Sequence, residues 1–291
     1  HTNSDITIIR DPNLGFGYEL VARAGGLVEM HHERGLGKRA TSNDVVLGSI
    51  RAWDSDTNLA FKAFRECRNK GALIVLFASR QGMPTNFPAD FVIDNGAESG
   101  ASNAAPINVL ANASSGWIWC CEYLAALTRL GKRPGVLKSK SYPDGDDFNA
   151  PLKAESHRLY DADQAIPAGR LGEAYLARLD RMVADIASTS VMGPLERSID
   201  IAAERVAQGK LVHTATCNHL LQPEITEDVP PMIHPFRPYG GGFAETLKEG
   251  ELLIWFGYIG MDTAAYQHGA DIRATKTDFI ACIAPMPDGS E

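Results

Sequence analysis

The residues most able to do chemistry are histidines and carboxylates that follow runs typical of β-strands. His31 ends one such run, and His219 follows another. Glu19 and Glu224 come shortly after strand-like runs in the two halves of the chain. A carboxylate can act as a general base, and a histidine can exchange a proton near neutral pH. These four residues are therefore candidate acid–base groups.

The same residue types could instead hold a metal ion. His213, His219 and Glu224 could gather near one strand end, and the pair His31–His32 could supply ligands in the other half. Zinc enzymes commonly carry such ligands at short spacings such as HExxH, and no such spacing occurs in this sequence. A metal-dependent enzyme is thus one alternative, whereas our main prediction includes no metal and no other cofactor.

Short acidic segments precede two of the predicted helices. Asp54, Ser55, Asp56 and Thr57 stand before one helix, and Asp262–Thr263 stands before the other. Loops that lead from a strand into a helix often bind ligands in α/β folds. An aspartate in this place can equally well cap the helix that follows. Both interpretations stay open.

Strand-like runs alternate with helical periodicity, which predicts an α/β fold with a largely parallel sheet. The continuous apolar run Ala72–Ala78 is typical of a central strand covered on both faces. The other predicted strands are Asp5–Arg10, Leu27–His31, Val45–Ser49, Phe91–Ile93, Leu211–Thr216, Pro230–Arg237, Leu252–Phe256 and Phe279–Ala284. The predicted helices are Phe16–Ala24, Thr57–Arg68, a long helix with an apolar stripe from Ile107 to Leu124, two helices between Leu171 and Ala207, and one from Thr263.

Composition excludes several classes of partner. The chain has 291 residues and a formal net charge of −8, so it lacks the excess of Lys and Arg that binds nucleic acid. Its longest apolar run has seven residues, whereas a membrane helix needs about 20. We therefore predict neither a nucleic-acid nor a membrane partner. The five cysteines show no CxxC spacing, which disfavours structural zinc and is typical of a reduced, cytoplasmic protein.

The polar stretch Lys138–Arg170 predicts a linker, and we place the domains at residues 1–165 and 166–291. An internal repeat supports two related domains. The strands that begin at Leu73 and Phe279 are 206 residues apart (279 − 73), as are Asp56 and Asp262 (262 − 56). On this offset the first domain lacks leading helices and the second lacks its last strand and helix.

Several stretches resemble the SIS (sugar isomerase) superfamily, in particular its phosphosugar-isomerase-like proteins, among them Asp44–Ser49 with Lys70–Ile74. Glu19–Gly26 (ELVARAGG) is similar to a helix end of that family, and Ala89–Gly96 (ADFVIDNG) is similar to its AD-x-VIDNG turn. Gly209–Val212 with Asn218–His219 resembles the opening of a second domain. The resemblance implies a three-layer α/β/α sandwich around a parallel sheet, and a tandem arrangement would repeat this sandwich in two related domains. It also implies a homodimer or a larger homo-oligomer.

The resemblance further implies a small-molecule partner, a sugar or sugar derivative, and the activity of a sugar or sugar-phosphate isomerase. Aldose–ketose isomerisation needs a general base and a group that polarises the carbonyl or opens the ring. Glu19 is the expected base in the first domain and Glu224 is its counterpart, with His31 and His219 as the accompanying groups. The expected ligand-binding residues are Ser49, Asp54, Ser55, Asp56, Thr57, Asp262 and Thr263.

The acidic segments depart from the family pattern. SIS loops usually carry S-x-S-G-x-[ST] and hold a phosphate with hydroxyl and backbone N–H groups, whereas Asp54 and Asp56 stand here. An aspartate beside a phosphate dianion would repel it. The departure suggests either an unphosphorylated sugar, polyol or amine as ligand, or loss of ligand binding. A non-catalytic, sugar-sensing SIS module is the alternative function.

Overall fold

The computed structural model of the chain describes residues 6–9, 16–21, 24–33, 40–50, 53, 57–97, 105–139, 142–155, 158–216, 233–236, 243–257 and 270–283. The chain divides into two units, His1–Asp180 and Arg181–Glu291. Each unit has a parallel sheet of its own. The predicted domain boundary at residues 165 and 166 stays a proposal.

Five strands form the sheet of the first unit. They are β1 (Ile6–Ile9), β2 (Met30–Glu33), β3 (Val45–Ser49), β4 (Leu73–Ala78) and β5 (Phe91–Asp94). In space they lie in the order β2-β1-β3-β4-β5, and every neighbouring pair is parallel. The predicted parallel α/β class is thus confirmed.

Helices cover this sheet on both faces. They are α1 (Phe16–Leu20), α2 (Thr57–Asn69) and α3 (Ala105–Arg129). Alternate side chains of β4 point to opposite layers, so that Ile74 and Leu76 pack with Phe64 of α2. Val75 and Phe77 pack in a second cluster with residues of α1 and α3. This alternation builds the expected three-layer α/β/α arrangement.

The predicted linker is wrong, because much of Lys138–Arg170 is folded. It contains helix α4 (Gly145–Ala154) and strand β7 (Tyr160–Asp161), which pairs antiparallel with β6 (Lys132–Arg133). The buried Asn149 side chain accepts from the backbone N–H of Lys138 and donates to its carbonyl, both at 2.8 Å. Aspartates suggest a solvated loop, but they are also favourable in the first turn of a helix, where Asp146 and Asp147 lie.

The first unit also contains the start of helix α5 (Arg170–Ile186), which is held by a side chain of α3. The Glu122 carboxylate accepts the backbone N–H groups of Gly169 at 2.7 Å and Gly172 at 2.8 Å. These bonds, that of Gly172 first, lower the pKa of Glu122 from its ordinary value. Glu122 thus supplies the acceptor that the exposed N–H groups at a helix start require.

The second unit repeats four strands of the first sheet. Its elements are α6 (Thr189–Ala207), β8 (Val212–Thr216), β9 (Ile233–Phe236), α7 (Phe243–Thr246), β10 (Leu252–Gly257) and β11 (Asp278–Ile283). Their parallel order, β9-β8-β10-β11, matches β2-β1-β3-β4. Trp255 and Leu253 are fully buried in a core that includes Ile272.

Equivalent turns precede β3 and β10. The backbone N–H of Thr41 donates to the Asp44 carboxylate at 2.6 Å, and that of Lys248 donates to the Glu251 carboxylate at 2.9 Å. The carbonyls of Asp44 and Glu251 also accept the first N–H of the next strand, β4 or β11. The two acids are 207 residues apart (251 − 44), whereas these strands begin 205 apart (278 − 73). The offset of 206 is therefore an average, since the connecting segments differ in length.

Two predicted boundaries differ from the structure. Helix α1 ends at Leu20, and β2 begins at Met30 rather than Leu27. The reason for the second difference is that Leu27 forms an isolated antiparallel bridge with Val136. Among the described helices, none has the length and hydropathy that a membrane crossing requires.

Candidate functional site at the carboxyl edge of the first sheet

The carboxyl ends of β3, β4 and β5 meet at one edge of the first sheet, which we call the carboxyl edge. Its last strand residues are Ser49, Ala78 and Asp94. In a sheet of order 2-1-3-4-5 the chain changes direction across the sheet between β1 and β3, and ligands bind outside the strand ends at that point. Ser49 ends β3 and is only 5% exposed, so the predicted ligand residue lies where the topology favours binding.

Three asparagines connect this edge to α3. The Asn95 side-chain amide donates to Asn108 Oδ1 at 3.2 Å and to Asn112 Oδ1 at 2.9 Å. Asn112 in turn donates through Nδ2 to the Ile50 carbonyl at 3.0 Å. Asn108 and Asn112 are 3% and 2% exposed. Because buried amides are costly unless they are bonded, this network fixes the end of β3 relative to β5 and α3.

The turn after β5 holds Asn95 in place. Its backbone N–H donates to the Ala78 carbonyl at 3.2 Å, and its Oδ1 accepts the N–H of Ala97 at 2.9 Å. Asp94 Oδ1 accepts the N–H of Gly96 at 3.1 Å. Gly96 has φ +70°, a conformation that side chains other than glycine rarely adopt. The Asp-Asn-Gly sequence thus aims Asn95 towards α3.

Aromatic side chains build the α2 side of the same edge. Trp53 Nε1 donates to the Ser79 carbonyl at 2.9 Å, and the Trp53 ring meets Phe87 edge-on at 5.4 Å. Phe61 also meets Phe87 edge-on, at 5.3 Å. The half-buried Trp53 is therefore anchored by protein contacts beside the strand ends.

The structure places the remaining described candidates on the predicted elements. Glu19 is half-buried on α1 and has interaction partners. His31 lies on β2 in register with Thr7 of β1, and Thr57 is the first residue of α2. The other predicted site residues, Asp54, Ser55, Asp56, His219, Glu224, Asp262 and Thr263, lie outside the described residues. Their roles stay predictions.

Sequence reasoning missed the asparagines because the stripe predicted along α3 is wrong in its first turns. Ile107 and Leu110 are 60% and 68% exposed, whereas Asn108 and Asn112 are buried. The buried face continues through Cys120, which packs against β-sheet residues. The only available signal was two asparagines four residues apart, a spacing that places both on one helix face. An assignment of the buried face from apolar residues alone does not detect a buried pair of asparagines.

A second missed residue, Glu29, lies at the opposite edge of the sheet. It immediately precedes β2 and is 6% exposed, and neither carboxyl oxygen accepts a hydrogen bond within normal distance from any described residue. Burial raises its pKa to about 7, an effect that the nearby Tyr123 hydroxyl offsets only in part. Tyr123 lies 15 residues beyond Asn108 on α3, which corresponds to about 22 Å at 1.5 Å per residue. Glu29 therefore does not belong to the carboxyl edge.

Among the described residues of the second unit, one buried ionisable pair is present. His213 Nε2 lies 2.9 Å from Glu251 Oε2, and both side chains are almost completely buried. His213 is near the amino end of β8 and Glu251 precedes β10, so the pair is remote from the carboxyl ends of those strands. Within the described residues, no group of three or more His, Cys, Asp and Glu is arranged to hold a metal ion.

Comparisons with known proteins address the fold. No protein-family model matches the chain, and no curated protein matches it significantly. Solved structures do match. The C-terminal domain of glucosamine-fructose-6-phosphate aminotransferase from Francisella tularensis superposes with a TM-score of 0.53 at 11% identity, over 96% of this chain and 72% of that one. A Clostridium difficile 630 protein assigned as a phosphosugar isomerase gives 0.55 at 10% identity, over 95% and 72% of the two chains.

A third match is a Salmonella typhimurium LT2 protein assigned as sugar-binding, with a TM-score of 0.55, 10% identity, and coverage of 96% and 77%. The chain has an SIS-like fold. The resemblance seen in the sequence is thereby confirmed at the level of fold. At 10–11% identity the match concerns architecture, and an SIS-like fold by itself does not determine function.

Proposed function

We propose that this chain binds a sugar or sugar derivative at the carboxyl edge of its first sheet and interconverts aldose and ketose forms. The observation that carries the proposal is the Asn95–Asn108–Asn112 network, in which two buried amides of α3 tie the turn after β5 to the end of β3, a strand that borders the switch point of an SIS-like sheet. Preorganised hydrogen-bonding groups in a shielded position are what a polyhydroxylated ligand requires. The names of the matched solved structures, which refer to phosphosugars and sugar binding, support the same ligand class.

The sequence between β3 and α2 favours an unphosphorylated ligand. Asp54 and Asp56 stand where SIS loops usually carry hydroxyl groups for a phosphate. Two carboxylates within a few ångströms of a phosphate would raise its binding free energy by several kcal/mol where water is excluded. We therefore place unphosphorylated sugars ahead of sugar phosphates.

Glu19 is the proposed general base. It lies on α1, the helix that follows β1, and it is half-buried. A base for isomerisation removes a proton from the carbon beside the carbonyl and returns it to the neighbouring carbon. Glu19 is the best-placed carboxylate candidate of the first domain, since it lies on the helix that follows the first strand. Glu224 keeps the same proposed role in the second.

Solvent exchange tests the activity directly. In D₂O the isomerase should exchange the C2 proton of glucose, or the C1 protons of fructose, for deuterium, and ¹H NMR follows the loss. Glu19→Gln should slow exchange by at least about 100-fold, the lower range for loss of a general base. Glu196→Gln, which removes an exposed carboxylate on α6, is the matched control. Equal rates in Glu19→Gln and the control would rule out Glu19 as the base.

Isothermal titration calorimetry separates the alternatives. Glucose, fructose and N-acetylglucosamine are compared with glucose 6-phosphate and fructose 6-phosphate. Sugar binding without exchange would favour the non-catalytic sensing module. Tight binding of the phosphates that Asp56→Ser does not improve would contradict the interpretation of the acidic segment. Activity that chelation abolishes, together with stoichiometric metal in the purified protein, would support the metal-dependent alternative.

We also propose that the chain forms a homodimer or larger homo-oligomer in the cytoplasm. Several large apolar side chains on α5 and α6 are about half exposed, among them Val183, Ile186 and Ile199. Such residues at helical spacing are typical of a face that a further chain covers. Four cysteines, Cys67, Cys120, Cys121 and Cys282, are free thiols, as in a reducing compartment. Light scattering coupled to size-exclusion chromatography tests the assembly, and a monomeric mass would contradict it.

A further inference from the structure

We infer that Ser49 and Asn108 form a neutral hydrogen-bonding subsite, which takes an uncharged polar group of the ligand such as a sugar hydroxyl or an acylamino group. This inference rests on the proposed function and refines its substrate class. It concerns two buried side chains whose hydrogen-bonding capacity the protein uses only in part.

The unused capacity is specific. Asn108 Oδ1 accepts from Asn95, but Asn108 Nδ2 donates to no described residue, although the side chain is 97% buried. Ser49 Oγ likewise makes no hydrogen bond to any described residue, although Ser49 is 95% buried. A buried polar group without a partner costs about 1–3 kcal/mol. Two largely buried side chains with hydrogen-bonding capacity to spare, both beside a strand end, indicate a place for a polar partner.

Both groups lie beside the same fixed point. Asn112, one helical turn after Asn108, holds the carbonyl of Ile50, which directly follows Ser49. Leu47, two residues before Ser49 and on the same face of β3, packs in the cluster that contains Cys120 of α3. The Ser49 hydroxyl therefore faces the α3 layer, where Asn108 is located. The bond from Asn95 holds the Asn108 amide, and the bond from Asn112 to the Ile50 carbonyl holds the backbone beside Ser49.

The chemistry of the pair selects a neutral partner. An amide N–H donor next to a hydroxyl, which both donates and accepts, matches a sugar hydroxyl or the carbonyl of an acylamino group. The carboxylate at the end of β5, Asp94, already accepts the backbone N–H groups of Gly96 and Arg80. The Arg80 guanidinium donates to the Val92 carbonyl at 3.3 Å. Among the described residues, the subsite thus consists of uncharged groups.

The test compares Ser49→Ala and Asn108→Asp with Asn86→Asp, which makes the same amide-to-acid change at an exposed position. Glucose, N-acetylglucosamine and glucose 6-phosphate are titrated calorimetrically into the full chain. Loss of one neutral hydrogen bond should weaken binding of a neutral sugar about threefold to tenfold. Asn108→Asp should weaken it by at least as much, because a carboxylate cannot donate, and Asn86→Asp should leave it unchanged.

The outcomes separate the two proposals. If wild-type protein binds none of the sugars, the proposed function fails, and the subsite inference falls with it. If wild-type protein binds a sugar and both Ser49→Ala and Asn108→Asp bind it within twofold of wild type, the subsite is refuted while the function stands. Thermal unfolding shows whether each variant folds. Should Asn108→Asp fail to fold, Ser49→Ala and Ser49→Cys decide the outcome, since both replacements are close in size to serine.

Discussion

Replacement of Glu29 by glutamine should remove a pH dependence from the stability of the first unit. Glu29 is 6% exposed at the amino edge of the sheet, and its carboxyl oxygens accept no hydrogen bond within normal distance from a described residue. Burial raises its pKa from an ordinary value of 4.5 to about 7. The neighbours Tyr123 and Cys120 offer no positive charge that would stabilise the carboxylate.

The sign and size follow from the two pKa values. Between pH 4.5 and 7 the unfolded chain loses the Glu29 proton while the folded chain keeps it, so the free energy of unfolding falls as the pH rises. The difference of 2.5 pKa units (7 − 4.5) corresponds to about 3 kcal/mol at 1.36 kcal/mol per unit. Glutamine does not titrate. The free energy of unfolding of Glu29→Gln minus that of wild type should therefore increase by about 3 kcal/mol between pH 4.5 and pH 8. This change does not depend on any pH-independent effect of the substitution on stability.

Urea unfolding at several pH values measures this change, with tryptophan fluorescence as the signal. Three of the four tryptophans lie in the first unit, so the signal reports mainly on it. Asp163→Asn, which removes an exposed carboxylate of the same unit, is the control and should keep the wild-type pH profile. If Glu29→Gln and wild type show parallel profiles from pH 4.5 to 8, the carboxyl group is not desolvated as described, and the reasoning is refuted.

Two further predictions concern packing and helix capping in the first unit. Gly48→Ala should destabilise the fold by about 1–3 kcal/mol, because the new Cβ would lie 2.1 Å from Cζ of Phe64. A double-mutant cycle with Phe64→Leu, measured by urea unfolding, should show favourable coupling between the two substitutions. Additive effects would contradict the clash. Glu122→Gln should cost about 1 kcal/mol at neutral pH, as loss of a helix cap does. Since the pKa of Glu122 is lowered in the folded state, wild type should lose this advantage on acidification and the variant should not. Hydrogen exchange at Gly169 and Gly172 should quicken in the variant, and unchanged protection there would contradict the capping role.

The predictability of the first sheet follows from its burial. A parallel strand covered on both faces is apolar without interruption, and β3 and β4 accordingly lie at or within one residue of their predicted bounds. The prediction failed where polar residues are used in two ways. The aspartate-rich segment around residue 145 predicted a linker, whereas Asp146 and Asp147 occupy the first turn of helix α4.

The candidate site was predictable only in its backbone part. Ser49 follows from the strand end, and Asn95 lies in the ADFVIDNG stretch that carries the family resemblance. Asn108 and Asn112 do not follow from either signal, because their importance depends on which face of α3 meets the sheet. That face is set by the apolar contacts of Cys120 further along the helix. The same face of α3 continues to the carboxyl edge of the sheet, where the residues on it are Asn108 and Asn112.

The two sheets share a strand order because of the repeat, but only the first has the strand and helix that form the asparagine network among the described residues. The asparagine network needs β5, which supplies Asn95, and α3, which supplies its partners. Four described strands form the second sheet, and they correspond to β1–β4. The turns before β3 and β10 are alike because they serve strand pairing, which both copies need. The amide network serves no such common purpose, and for this reason we expect substitutions at Asn95 to affect ligand binding in the first unit only.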